Sequence, residues 1–155
     1  MTDPAAETAL DTADILRVMR MIPHRYPMLL VDKVIKMKAD ESAVGIKNVT
    51  YNEPYFQGHF PSRPVMPGVM VIESIAQTAG VLVVHTLGSS AEGKLVYFMS
   101  VDRARFRRPI MPGDRMYIHV KRERRRGNVW RFNAEVMIDG QLAADATITA
   151  MILDQ

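Results

Sequence analysis

The chain has 155 residues, 48% of them apolar and 24% charged, with no cysteine and a formal net charge of +3. That length fits one domain able to bury a core without covalent or metal staples. The lack of cysteine excludes a thiol nucleophile, a thiolate metal site and a disulfide framework. Residues 101–131 hold eleven Arg and Lys against Asp102, Asp114 and Glu123, a local +8, while the other nine bases and fourteen acids leave −5. A basic face on a mildly acidic body points to an anionic partner, either nucleic acid or an acidic protein.

Residues 1–11 are small, acidic and without period, which predicts a mobile tail ahead of a single domain over 12–155. Asp3, Glu7, Asp11 and Asp14 fall within the first twenty residues, where no long apolar run occurs. The reading is therefore of a soluble, cytoplasmic protein without a secretory leader. A short amphipathic helix follows, with Ile15, Leu16, Met19 and Ile22 on one side and Arg17 and Arg20 opposite, ended by Pro23. Residues 28–38 and 43–49 are rich in β-branched side chains and flank Ala39-Asp40-Glu41-Ser42, a hairpin pattern with a polar turn. Residues 51–67 carry four prolines and no period, so they form a structured loop.

From 67 to 87 the chain is apolar on nearly every side, and Pro67 and Gly88 fit the two ends of a helix. Such a helix is about 30 Å long. A helix apolar all round is either a core helix or a membrane span. Glu73, Gln77 and His85, together with the flanking strands, favour the core and no membrane insertion.

Strand patterns resume at 95–101. Met116, Ile118 and Val120 alternate with polar residues, as do Trp130, Phe132, Ala134, Val136 and Ile138 after Arg126-Gly127-Asn128. Asp139-Gly140 is a two-residue hairpin signal, and Ala144, Ala146, Ile148, Ala150 and Ile152 complete a last strand. The economical assembly is α+β: an antiparallel sheet curved around one long apolar helix.

Two residues stand out chemically. Glu73 sits in the most apolar helix, where a carboxylate is costly unless paired, hydrogen-bonded or neutral. It is either held in a structural hydrogen bond or available as a general acid. His59, in Gly58-His59-Phe60-Pro61, is either a polar loop residue or a base placed ahead of a helix start. Gly68 allows close backbone approach there, and unpaired N–H groups at a helix start suit a developing oxyanion. A base, an oxyanion site and a carboxylic acid are what β-elimination from a carbonyl compound requires. Glu73 lies six residues past Pro67, about 9 Å along the helix, so a dimer could supply it to the histidine of another chain.

Tyr55-Phe56-Gln57-Gly58-His59-Phe60-Pro61, then Pro64-Val65-Met66-Pro67-Gly68-Val69 and Glu73-Ser74-Ile75-Ala76-Gln77, closely resemble the 3-hydroxyacyl-[acyl-carrier-protein] dehydratases of bacterial type II fatty acid synthesis. The resemblance extends to Ile22-Pro23-His24-Arg25-Tyr26-Pro27, Ala104-Arg105-Phe106-Arg107-Arg108-Pro109 and Met111-Pro112-Gly113-Asp114. It implies a hot-dog fold, with His59 as catalytic histidine and Glu73 as its acidic partner across a dimer interface. It also implies that the Gly68 N–H meets the thioester carbonyl and that Gln77 is the polar residue near the carboxylate. Further implications are an active-site tunnel at the dimer interface, a hexamer of three dimers, and no cofactor, the phosphopantetheine arm arriving on acyl carrier protein. Glu73 stands where the related dehydratase/isomerases have aspartate, which favours a pure dehydratase.

The segment around His24 recurs in that family as structure, so His24 receives no chemistry. His85 and His119 lack neighbours at metal-ligand spacing and read as structural or surface residues, with no metal site. Arg103, Arg105, Arg107 and Arg108 precede a proline-rich loop, and Arg122, Arg124, Arg125 and Arg126 crowd a hairpin end. Both groups are either solvated ion-pairing residues or a docking face for the acidic acyl carrier protein. No recognisable nucleic-acid module accompanies them, so nucleic-acid binding is disfavoured. Two alternative functions remain: a hot-dog thioesterase, which would release free carrier thiol, and a non-catalytic carrier-binding module.

Overall fold

The computed structural model describes residues 10–154. Seven strands form one antiparallel sheet: β1 (Asp11–Ala13), β2 (Lys33–Lys38), β3 (Ser42–Asn48), β4 (Leu95–Phe106), β5 (Arg115–Arg126), β6 (Val129–Ile138) and β7 (Gln141–Leu153). Their spatial order is β1-β2-β3-β5-β6-β7-β4. The period-2 pattern explains the layers, because Met116, Ile118, Val120, Trp130, Phe132, Ala134, Val136, Ala144, Ala146 and Ile148 are all buried on the inner face. Asp139 and Gly140 both adopt positive φ (51° and 74°), the geometry of the tight turn predicted between β6 and β7.

Helices α1 (Ile15–Met21) and α2 (Gly68–Leu87) complete the fold. Helix α2 crosses the inner face and packs on β2, β3, β4, β5 and β7. It is long and apolar enough to cross a membrane, but 67% of that stretch is buried within the protein, which makes it the core helix. Helix and sheet meet tightly at Gly45 of β3, where a Cβ would lie 2.1 Å from Thr78 Oγ1. Glycine is therefore what lets helix and sheet meet. The result is the hot-dog architecture, with α2 as the filling.

Several local expectations differ from the structure. Residues 1–9 lie outside the described residues, but Asp11, placed by sequence in the tail, begins β1. Its carboxylate takes two hydrogen bonds of 2.8 Å from Arg17. Helix α1 buries Val18 and Met21, and of the expected side Ile15, Leu16, Met19 and Ile22 it is Ile22 that is buried, while Leu16 is 66% exposed. The Asp14 cap and the Arg17–Asp11 pair hold Arg17 toward β1, which rotates Val18 and Met21 inward.

The strand expected from residue 28 starts at Lys33. Ahead of it, Leu30 N–H and Met28 C=O bond the side chain of Gln77, so α2 holds that segment in place of a sheet neighbour. Strand β4 continues past 101 to Phe106, with register shifts at 98/100 and 102/105. The irregular period of a shifted strand conceals its length from pattern reading.

Candidate active site

Residues 49–67 leave β3 and return to α2 with one short 3₁₀ turn, Pro54–Gln57. Phe56 anchors that turn in the core at 1% exposure. His59 follows, joined to Phe60 by a cis peptide, and the two rings stack at 4.2 Å. The local chain folds back on itself: Val65 N–H donates to His59 C=O (3.0 Å), and Met66 N–H to Ile110 C=O (2.7 Å).

His59 Nδ1 lies 2.7 Å from the Val65 carbonyl. A carbonyl only accepts, so Nδ1 carries a hydrogen, and in the neutral ring the lone pair falls on Nε2. The backbone thus fixes both ring orientation and tautomer, and leaves the basic nitrogen for other work.

His59 shares a cavity of about 420 Å³ with Val65, Met66, Gly68, Phe106 and Arg107 among others. Gly68 is the first residue of α2, following Pro67 at the cap. The Met70 and Val71 N–H groups reach Pro67 C=O, whereas those of Gly68 and Val69 have no acceptor inside the helix. The Phe106 ring covers this helix start so closely that a Cβ on Gly68 would lie 2.9 Å from it. The sequence therefore brings His59 and Gly68 together as expected, and Phe106 joins them unanticipated.

Glu73 and Gln77 are one turn apart on α2 but do not line the His59 cavity. Gln77 is fully buried and its amide is completely used. Oε1 accepts from Leu30 N–H (2.9 Å), while Nε2 donates to Met28 C=O (2.7 Å) and to Glu73 Oε1 (3.1 Å). The same carboxylate oxygen lies 3.3 Å from His24 Nε2. His24 in turn is held by Arg25, whose guanidinium bonds the carbonyls of His24 (2.6 Å), Ile22 (3.1 Å) and Met19 (2.7 Å), closing the end of α1. Sequence reasoning gave His24 no chemistry; the structure puts it against Glu73. Its place in a proline-bracketed segment was the available signal.

The candidate docking arginines occupy two situations. Arg107 and Arg108 line the His59 cavity, bonded to Asp145 (2.6 Å) and to Gln141 (3.3 Å). The Asp145 carboxylate raises the Arg107 guanidinium pKa further. Arg103 and Arg105 are exposed on β4. At the hairpin end, Arg122 and Arg125 pair with Asp40 (3.1 and 3.5 Å), and Arg125 also covers the Trp130 ring at 4.4 Å.

His85 Nδ1 lies 3.3 Å from Asp11. At His119, desolvation lowers the imidazole pKa. Among the described residues no three His, Asp or Glu side chains gather as a metal site.

An antiparallel sheet wrapped around one long helix, with a loop histidine beside that helix's N-terminus, defines a hot-dog scaffold. Residues 22–147 match the FabA-like domain. The chain is 68% identical over 142 residues to a 3-hydroxyacyl-[acyl-carrier-protein] dehydratase FabZ of Paramagnetospirillum magneticum, covering 92% of this chain and 88% of that one. It is 60% identical over 153 residues to the protein of the same name from Rhodospirillum rubrum, covering 99% and 96%. In structure it resembles a dehydratase heterocomplex from Xenorhabdus doucetiae (TM-score 0.77, 19% identity, 89% and 91% covered). It also resembles a hypothetical thioesterase with coenzyme A from Streptococcus pneumoniae (TM-score 0.56, 16% identity, 76% and 82% covered). At those identities the two structures speak to the fold alone. The chain belongs to the FabA-like family and, within it, to the 3-hydroxyacyl-[acyl-carrier-protein] dehydratases.

Proposed function

We propose that this protein eliminates water from (3R)-3-hydroxyacyl thioesters carried on acyl carrier protein, giving trans-2-enoyl thioesters, as a cytoplasmic step of fatty acid synthesis. The observation that carries the site assignment is the His59 imidazole, with Nδ1 tied to the Val65 carbonyl and Nε2 left without that contact, in one cavity with the start of α2. His59 Nε2 takes a proton from C2 and becomes imidazolium. The C2–H electrons move toward the thioester carbonyl, whose oxygen the Gly68 N–H stabilises. They return to form the C2=C3 bond as the C3–O bond breaks, and the Glu73 carboxyl gives its proton to the departing hydroxyl. Water leaves, and transfer of the His59 proton to Glu73 restores both groups. The balance is complete without a cofactor, and the pantetheine arm belongs to the substrate.

Glu73 comes from a second copy in this reading. Within one chain it sits with His24 and Gln77, away from the His59 cavity. Strand β4 ends the sheet with an unpaired edge and exposes Tyr97, Phe98, Met99 and Val101. An apolar free edge of this kind is suited to pairing with another chain. Three such dimers would form the hexamer. Arg107 and Arg108 at the cavity, with Arg103 and Arg105 along the same strand and loop, offer positive charge to an acidic carrier.

The test is mass spectrometry of 3-hydroxyacyl-carrier protein after incubation with wild type and His59→Ala. Loss of about 18 Da with wild type alone supports the reading, since removal of the base stops elimination. An unloaded carrier thiol would instead mean thioester hydrolysis. An unchanged carrier that still co-purifies would mean a binding module.

A further inference from the structure

Lys47 ends a buried run: β3 is buried from Ala43 to Lys47, and the Lys47 side chain is 5% exposed. A cation so placed needs a fixed counter-charge. Glu53, 15% exposed, supplies it through Oε1, and its other oxygen accepts from Thr50 N–H (3.2 Å). Glu53 N–H reaches back to Thr50 C=O (3.3 Å), so the two residues close the turn reciprocally. Tyr55 lies beside the same carboxylate, and its burial keeps the phenol protonated. The cation facing Glu53 is Lys47.

From Glu53 to His59 there is little freedom. Glu53 caps the 3₁₀ turn that Pro54 begins, Phe56 plugs the core, and Gly58 leads directly into His59. A buried ion pair offers little net stability over an apolar pair of similar volume, but it fixes direction, since only one arrangement neutralises both charges. We infer that the Lys47–Glu53 pair is a positioning device that sets the place of the His59 loop from β3, and through it the Nδ1 contact with Val65 that selects the tautomer. Its catalytic consequence rests on the dehydratase reading above; its effect on the His59 ring does not.

The experiment compares wild type, Lys47→Met/Glu53→Leu, Glu53→Asp and Lys47→Arg/Glu53→Asp. Each is measured for thermal midpoint, for kcat and KM on a 3-hydroxyacyl-carrier substrate, and for ring ¹⁵N signals of labelled histidine. The chain has four histidines, and loss of a signal in His59→Ala assigns His59. The apolar double variant keeps its midpoint within about 5 °C, loses kcat by about tenfold or more with KM little changed, and moves the His59 Nδ1 signal toward that of a tautomerising imidazole. Glu53→Asp, which keeps the charge but shortens the reach, shows the same losses, and Lys47→Arg restores both in the double variant. Should the apolar variant not fold, the Glu53→Asp and rescue pair decide alone. Wild-type kcat or wild-type His59 signals in a folded variant overturn the inference, as does failure of Lys47→Arg to rescue. If wild type itself does not dehydrate the substrate, the functional reading fails and the ring signals alone decide the positioning role.

Discussion

His24 Nε2 lies 3.3 Å from Glu73 Oε1, and Gln77 Nε2 approaches the same oxygen at 3.1 Å. One carboxylate oxygen is thus engaged twice, and in the proposed reaction Oε2 is the oxygen that serves the substrate. The two contacts come from different elements, His24 from the segment that Arg25 locks onto α1 and Gln77 from α2 itself. Orientation of the acid depends on both.

With Glu73 as the proposed proton donor, replacing it with Gln removes that donor but keeps the shape and an acceptor for Gln77. Steady-state assays should show kcat lowered about 10²-fold or more, with the thermal midpoint little changed. Replacing His24 with Asn leaves the acid in place and loosens its orientation, so its cost should be smaller, about tenfold. A His24 variant as inactive as the Glu73 variant would give His24 a direct part in the chemistry.

The Gly45–Thr78 contact fixes how closely α2 can sit on the sheet. A methyl at Gly45 would lie 2.1 Å from Thr78 Oγ1 and 2.8 Å from its Cγ2. Gly45→Ala should destabilise by about 1–3 kcal/mol in urea unfolding, the usual cost of overpacking. Thr78→Ala removes both clashing atoms, so the same substitution in that background should cost measurably less. Equal costs in the two backgrounds would show that the backbone at Gly45, not the contact, is limiting.

Acid stability should depend on Asp11. Hydrogen bonds from Arg17 hold its carboxyl below the ordinary 3.8. Between the folded value and 3.8 the unfolded chain binds more protons, so the contribution is full above 3.8 and is lost as pH falls through the lower folded value. Urea midpoints of wild type and Asp11→Asn should differ at neutral pH and converge in strong acid. The gap is small because both side chains are largely solvated. A gap that widened as pH fell would contradict the assignment.

The free edge of β4 predicts assembly. Asp substituted at both Tyr97 and Met99, each more than half exposed, should lower the mass seen by sedimentation and remove activity together with it. A variant of unchanged mass would place the interface elsewhere.

Much of this architecture was legible in the sequence because it rests on period and turn chemistry. The helix at α2 was marked by its uninterrupted apolar run, and the last hairpin by Asp139-Gly140, whose positive φ angles the turn requires. His59, Gly68, Glu73 and Gln77 were legible as a motif, and so was their division into His59 with Gly68 and Glu73 with Gln77; the segment that Glu73 and Gln77 face was not. His59 and Gly68 share a cavity, whereas Glu73 and Gln77 face the segment from His24 to Leu30. Contacts made across forty-seven or forty-nine positions, such as Gln77 with Leu30 and Met28, leave no periodic trace. The same holds for Phe106 over Gly68 and for the pairing of Lys47 with Glu53, where a lysine in a buried strand was the only clue. Strand β4 was underestimated because its bulges break the alternation that marks a strand.

The central claim is one active site built from two chains, and subunit mixing tests it most directly. His59→Ala and Glu73→Gln should each retain about a hundredth of wild-type activity or less. If they are mixed, dissociated and reassembled, half of the dimers pair one variant with the other, and each of those holds one site with both groups intact. Activity should return to about a quarter of wild type under random exchange. A mixture no more active than its two parents, with exchange verified by native mass spectrometry, would contradict the shared site.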